Sequence, residues 1–142
     1  MNEINVIYQS RGGNTEVIAK AIAEECGVAA YDIESAVNVS GSDLLFVGMG
    51  IYAGKPDSSL LDYLDQLPVN VIKGAAVFTT SATGGEHAAL VINLLEHKGI
   101  QVYPRHLNVK GKFLFMNKGK PGKDEVKEAR DFAREVLDAF NG

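Results

Sequence analysis

Hydrophobic positions along this chain alternate between two periods. A short β-rich run lies at 4–9, and runs apolar on both faces at 43–48 (Leu44-Leu45-Phe46-Val47) and 75–80, as expected for parallel strands covered on both sides. A weaker β-rich run lies at 29–33. Residues 101–109 with 113–115 read as a fifth strand, bent at Pro104 or Gly111. Between the strands the period lengthens to that of a helix. Val17, Ile18, Ala21 and Ile22 mark a helix over 14–26 that stops at Gly27. A second covers 57–67, between Pro56 and Pro68. Leu90, Val91, Leu94 and Leu95 mark a third over 86–98, with Gly99 as its C-terminal cap. Val126, Ala129, Phe132, Ala133, Val136, Leu137 and Phe140 form the buried stripe of the last, over 124–140. The link from Ile33 to Asp43 is short and holds little helix. Strict alternation of this kind predicts an α/β fold, a doubly wound parallel sheet in one domain over 1–142. Ligands of such sheets sit beyond the carboxyl ends of the strands, so the loops after the first, third and fourth predicted strands hold the informative residues.

Composition narrows the classes. The 142 residues are 46% hydrophobic and 23% charged, ordinary for a globular protein. Met1-Asn2-Glu3 opens neither a basic nor an apolar leader, and no apolar run is long enough to span a bilayer. One cysteine, Cys26, allows no internal disulfide. A cytoplasmic protein with no membrane partner is expected. The net charge of −4 is uneven. Residues 98–123 carry seven bases (Lys98, Arg105, Lys110, Lys112, Lys118, Lys120, Lys123) and no acid, in an otherwise acidic chain. That segment solvates a loop and blunts a sheet edge, or docks a partner or an anionic substrate. An acidic chain without interleaved aromatics does not suit nucleic acid. His87, His97 and His106 show no metal-ligand spacing, and no G-x-S-x-G motif marks a serine nucleophile. His87 falls at the start of the third predicted helix.

The first loop is Ser10-Arg11-Gly12-Gly13-Asn14-Thr15, leaving a strand and opening a helix. Adjacent glycines let backbone N–H groups converge, and the helix N-terminus adds partial positive charge. Ser10, Asn14 and Thr15 add side-chain hydrogen bonds. A phosphate cradle and a plain glycine turn capped by Asn14 both fit. The combination of strand, glycine pair, hydroxyls and helix favours phosphate. Neither the nucleoside-triphosphate motif nor G-x-G-x-x-G is present.

This loop resembles the phosphate loop of flavodoxins, with Gly12 where that family usually has threonine. The second loop, residues 48–56, resembles the family's loop after the third strand. The resemblance implies that Ile51 and Tyr52 contact the flavin ring and that Ala53-Gly54 is a peptide that flips to bond flavin N5. The third loop, Thr80-Ser81-Ala82-Thr83-Gly84-Gly85, resembles the loop that holds the pyrimidine edge. The resemblance spans the whole chain. It implies a flavodoxin-like three-layer sandwich with five parallel strands in the order 2-1-3-4-5, and FMN as cofactor. It further implies a monomer passing electrons between a reductase and an acceptor enzyme. Residues 80–85 hold no aromatic to cover the outer ring face, so a second reading stays open. That reading is an FMN-dependent reductase or oxidase acting on a small substrate, neutral or anionic, such as a quinone or tetrapyrrole. A third is a binding module that has lost FMN.

Overall fold

Alternation within the strands sorts the core into two halves. In β1 (Ile4–Gln9), Val6 and Tyr8 face one side and Ile7 the other. In β3 (Leu44–Tyr52), Leu44 and Phe46 join the first side, while Leu45, Val47 and Met49 join the second. In β5 (Gly74–Ser81), Ala76 and Phe78 oppose Ala75 and Val77 in the same way. Helices α1 (Asn14–Cys26) and α4 (Lys123–Asn141) cover the first side; α2 (Ser58–Asp65) and α3 (Ala89–His97) cover the second. The result is the predicted three-layer α/β sandwich, described here from a computed structural model for residues 3–35, 37–82, 86–111 and 119–141.

The parallel sheet runs β2 (Ala30–Asp32), β1, β3, β5, β6 (Gln101–Val102). This is the expected order, with the antiparallel β strand at Lys55–Pro56 left out of the count. The fifth predicted strand is divided. β6 pairs with Gly74 and Ala75, and β7 (Leu107–Lys110) pairs with Phe78 to Ser81 of the same neighbour. The break contains Pro104, which has no N–H to offer the ladder. The predicted piece at 113–115 lies outside the described residues.

Three expectations are corrected. First, β3 does not end at Gly48 but runs to Tyr52, then turns back through β4 (Lys55–Pro56), its antiparallel partner. Second, α3 starts at Ala89, so residues 86–88 precede the helix rather than form its first turn. Third, Val17 and Leu90 are 40% and 54% exposed, off the buried stripes. In α1 that stripe runs through Thr15, Ile18, Ala19 and Ile22, and a residue one step from it is rotated by about 100°. Gly27, at φ 72°, ends α1 by donating its N–H to the carbonyls of Ala23 and Glu24. Among the described residues no helix is long and apolar enough to cross a membrane.

Candidate functional site

The carboxyl ends of β1, β3 and β5 lie side by side, and the segments leaving them enclose two adjoining cavities. The first, about 340 Å³, is walled by Ser10, Arg11, Gly12 and Asn14 from the first loop, by Gly50, Ile51 and Tyr52 of β3, and by Thr80, Ser81 and Ala82. The second, about 490 Å³, shares Arg11, Ile51, Tyr52, Ser81 and Ala82 and adds Ala53, Gly54 and His87. Together they have the size of a small-ligand site. Sequence residues from three separate loops are thereby brought to one place.

The first loop owes its shape to Gly13, the N-cap of α1, whose φ of 92° lies in the left-handed region. Asn14 is therefore the first residue of the helix, not its cap. The Gly13 N–H donates to Ser10 Oγ at 3.1 Å, and the Arg11 N–H donates to the Tyr52 hydroxyl at 3.0 Å. Gly12 faces open space, since a Cβ there would meet nothing within 4 Å. Gly13 and Thr15 do not form the cavity wall. Thr15 is buried, and its hydroxyl shares a 2.8 Å hydrogen bond with that of Thr80. It ties the first loop to the end of β5. Ile51 and Tyr52 sit in a strand rather than a loop, which holds them more rigidly. Thr83, Gly84 and Gly85 lie outside the described residues.

Tyr52 reaches Arg11 because it lies back along its own strand. Gly50 shares its face two positions earlier, and a Cβ there would collide with the Tyr52 ring. The Arg11 guanidinium stacks on that ring, 3.8 Å from the centroid. Arg11 also donates to Asp57 Oδ2 at 2.9 Å. Asp57 caps α2 by accepting the Ser59 N–H at 2.9 Å and the Ser59 hydroxyl at 2.8 Å. These Ser59 bonds, and then Arg11, hold the Asp57 carboxyl below the usual aspartate range. Burial pushes the Tyr52 hydroxyl above the ordinary tyrosine value, partly offset by the Arg11 N–H and its charge. Tyr52 is thus protonated at neutral pH.

Sequence reasoning passed over Asp57, although Asp before Ser58-Ser59 is a recognisable capping signal. It read Gly111 only as a bend of the fifth strand, whereas a Cβ there would strike the Asn14 side chain. No local signal links those two residues, which lie on different elements. Three bases of the basic segment are engaged within the chain. Lys98 donates to the Asp65 carbonyl, Arg105 pairs with Glu135 at 2.9 Å and Lys120 with Glu125 at 3.1 Å. Lys112 and Lys118 lie outside the described residues.

The donors at the first cavity fit a phosphate: the Ser10 and Asn14 side chains and the N-terminus of α1. Ile51, Tyr52 and Ala82 give the second cavity the apolar walls that a planar ring system requires. Comparison with known proteins agrees. The model of the flavodoxin domain family matches residues 5–120. An uncharacterised protein of Methanocaldococcus jannaschii is 32% identical, over 93% of this chain and 96% of its own length. Among solved structures, a flavodoxin from the domain Archaea superposes with a TM-score of 0.81 at 18% identity, covering 99% of both chains. Oxidised flavodoxin 2 from Bacillus cereus gives 0.75 at 18% identity, over 96% of this chain and 99% of its own. With fold, loop positions and family match in accord, this chain belongs to the flavodoxin family.

Proposed function

We infer that this protein binds FMN and carries electrons between a reductase and an acceptor enzyme, as a monomer in the cytoplasm. One observation carries the reading: a glycine turn at a helix N-terminus opens directly into an apolar cavity at the ends of the central strands. Bound FMN supplies one- or two-electron redox chemistry. The chain's residues supply position. Ser10, Asn14 and the start of α1 hold the phosphate; Ile51 and Tyr52 wall the ring; Ser81 and Ala82 bring backbone close to its polar edge. Arg11, held by Asp57, places positive charge at the rim and fixes the Tyr52 ring through the stack. Protonated Tyr52 can donate through its hydroxyl, whereas a phenolate would repel an anionic ligand.

Titration of the FMN-free protein, followed by flavin fluorescence, tests this. FMN is expected to bind at least about tenfold more tightly than riboflavin, because a single charge-assisted hydrogen bond to phosphate contributes roughly 1.5–3 kcal/mol. Equal affinity for the two, or binding of neither, overturns the reading; the latter result fits a module that has lost FMN.

Two features favour direct action on a small anionic substrate as the second reading. Residues 80–85 hold no aromatic, and Arg11 and His87 both line the second cavity. Steady turnover of NADPH with a quinone by the isolated FMN-loaded protein is the result that distinguishes it from a carrier.

A further inference from the structure

The three atoms nearest to a Cβ built on Gly111 all belong to the Asn14 side chain: Nδ2 at 2.5 Å, Cγ at 2.6 Å and Cβ at 2.9 Å. Packed atoms do not approach so closely, so the Asn14 side chain lies against the Gly111 backbone in space that only glycine leaves open. The φ of Gly111 is outside the left-handed region. Backbone freedom therefore does not call for glycine here; the close approach does. Both sides of the contact are fixed. The Gly111 N–H donates to the Ser81 carbonyl at 3.0 Å and carries the pairing of β7 with β5 one residue beyond Lys110. Asn14 opens α1, and Thr15 beside it bonds Thr80 at 2.8 Å. The end of β7 and the start of α1 are thus both tied to the end of β5, with the Asn14 side chain between them. The same Asn14 lines the first cavity with Ser10 and Gly12. Gly111 itself walls neither cavity, so any effect it has on a ligand acts through Asn14.

We propose that Gly111 is a positioning residue for the phosphate end of the site: its bare backbone holds the Asn14 amide at the cavity wall, and this sets the preference for a phosphorylated over an unphosphorylated flavin. This rests on the FMN reading of the site. The Asn14 amide carries two N–H donors, and a donor that meets a phosphate oxygen forms a charge-assisted hydrogen bond. A side chain already confined by packing has lost its rotamer freedom before the ligand arrives, so binding does not have to order it. Riboflavin has no phosphate, so confinement of Asn14 contributes nothing to its binding. A side chain at position 111 would displace Asn14 and remove the advantage of FMN alone.

A double-variant cycle tests this. Wild type, Gly111→Ala, Asn14→Gly and the double variant are each freed of flavin and titrated with FMN and with riboflavin, followed by flavin fluorescence. The readout is the ratio of the two affinities, which a merely structural change leaves alone because it weakens both flavins alike. Gly111→Ala is expected to lower the ratio at least about tenfold, the scale of one charge-assisted hydrogen bond. Asn14→Gly should lower it by as much. In the double variant the added methyl enters space that Asn14 has left, so the ratio should stay within about twofold of Asn14→Gly alone. A ratio unchanged by Gly111→Ala, or two losses that multiply in the double variant, overturns the proposal and leaves the FMN reading standing. If Gly111→Ala does not fold, melting curves carry the test. Asn14→Gly must then restore folding to the double variant and must itself lower the ratio, and failure of either overturns the proposal. Equal affinity of the wild type for both flavins, or binding of neither, overturns the proposal together with the functional reading.

Discussion

Asp57 serves two elements with one carboxylate, capping α2 through one oxygen and holding Arg11 through the other. Asp57→Ala should lower unfolding free energy by about 1–2 kcal/mol, the usual scale for a lost N-cap, measured by urea denaturation. Asp57→Asn keeps a capping oxygen and loses the charge, so it isolates the ionic part. The folded-state pKa of Asp57 lies below its unfolded value. Its charge-dependent stabilisation is therefore complete above the unfolded pKa of about 3.9 and disappears as pH falls through the lower folded value. The gap in urea midpoint between wild type and Asp57→Asn should be widest near neutrality and close on acidification. A gap that stays constant from neutral to strongly acidic pH contradicts the assignment. Cys26 shows burial acting in the other direction. Burial first, and the Glu25 charge second, push its thiol up to about 11. Iodoacetamide at neutral pH should label it far more slowly in the folded protein than in urea, since the thiolate is the nucleophile.

At the scale of elements, α4 shows which contacts dominate. Phe132 is fully buried and meets Phe46 and Tyr103 edge-on, at centroid distances of 6.3 and 6.4 Å. Phe132→Ala should cost about 3–5 kcal/mol through lost burial and the cavity left behind, again read in urea. Arg130 and Arg134 tie α4 to α1 through Glu24 and Glu25 on the surface. Their replacement by alanine should barely move the midpoint, because water screens such pairs. The apolar stripe of α4 was legible because it repeats at the helical period over five turns. The hairpin at 51–56 was not. Its glycine and proline read as a loop, and only pairing of Tyr52 with Lys55 makes it a continuation of β3. Divided pairing along β5 likewise needed the neighbouring strand to be in place.

For the molecule as a whole, the site is where three chain segments far apart in sequence converge. A ligand contacting all three binds only the folded state, so it stabilises by mass action. FMN at a hundred times its dissociation constant should add about 2.7 kcal/mol, visible as a concentration-dependent rise in Tm. Riboflavin at the same concentration should raise Tm less, and an equal rise would remove the phosphate from the account. Of the basic run seen in the sequence, Lys98 and Arg105 are engaged by partners some thirty residues away along the chain, and Lys120 by its near neighbour Glu125.

Sequence by itself determined the alternation of strands and helices, the division of the core between two sheet faces and the glycine turn ahead of α1. Each of these follows from side-chain periodicity or backbone freedom over a few consecutive residues. Only the tertiary structure decided that Thr15 bonds Thr80, that Arg11 is shared between Tyr52 and Asp57, and that Ala53 occupies a left-handed turn. Those outcomes depend on which residues the sheet register brings opposite one another, and register is a property of paired strands rather than of any one segment.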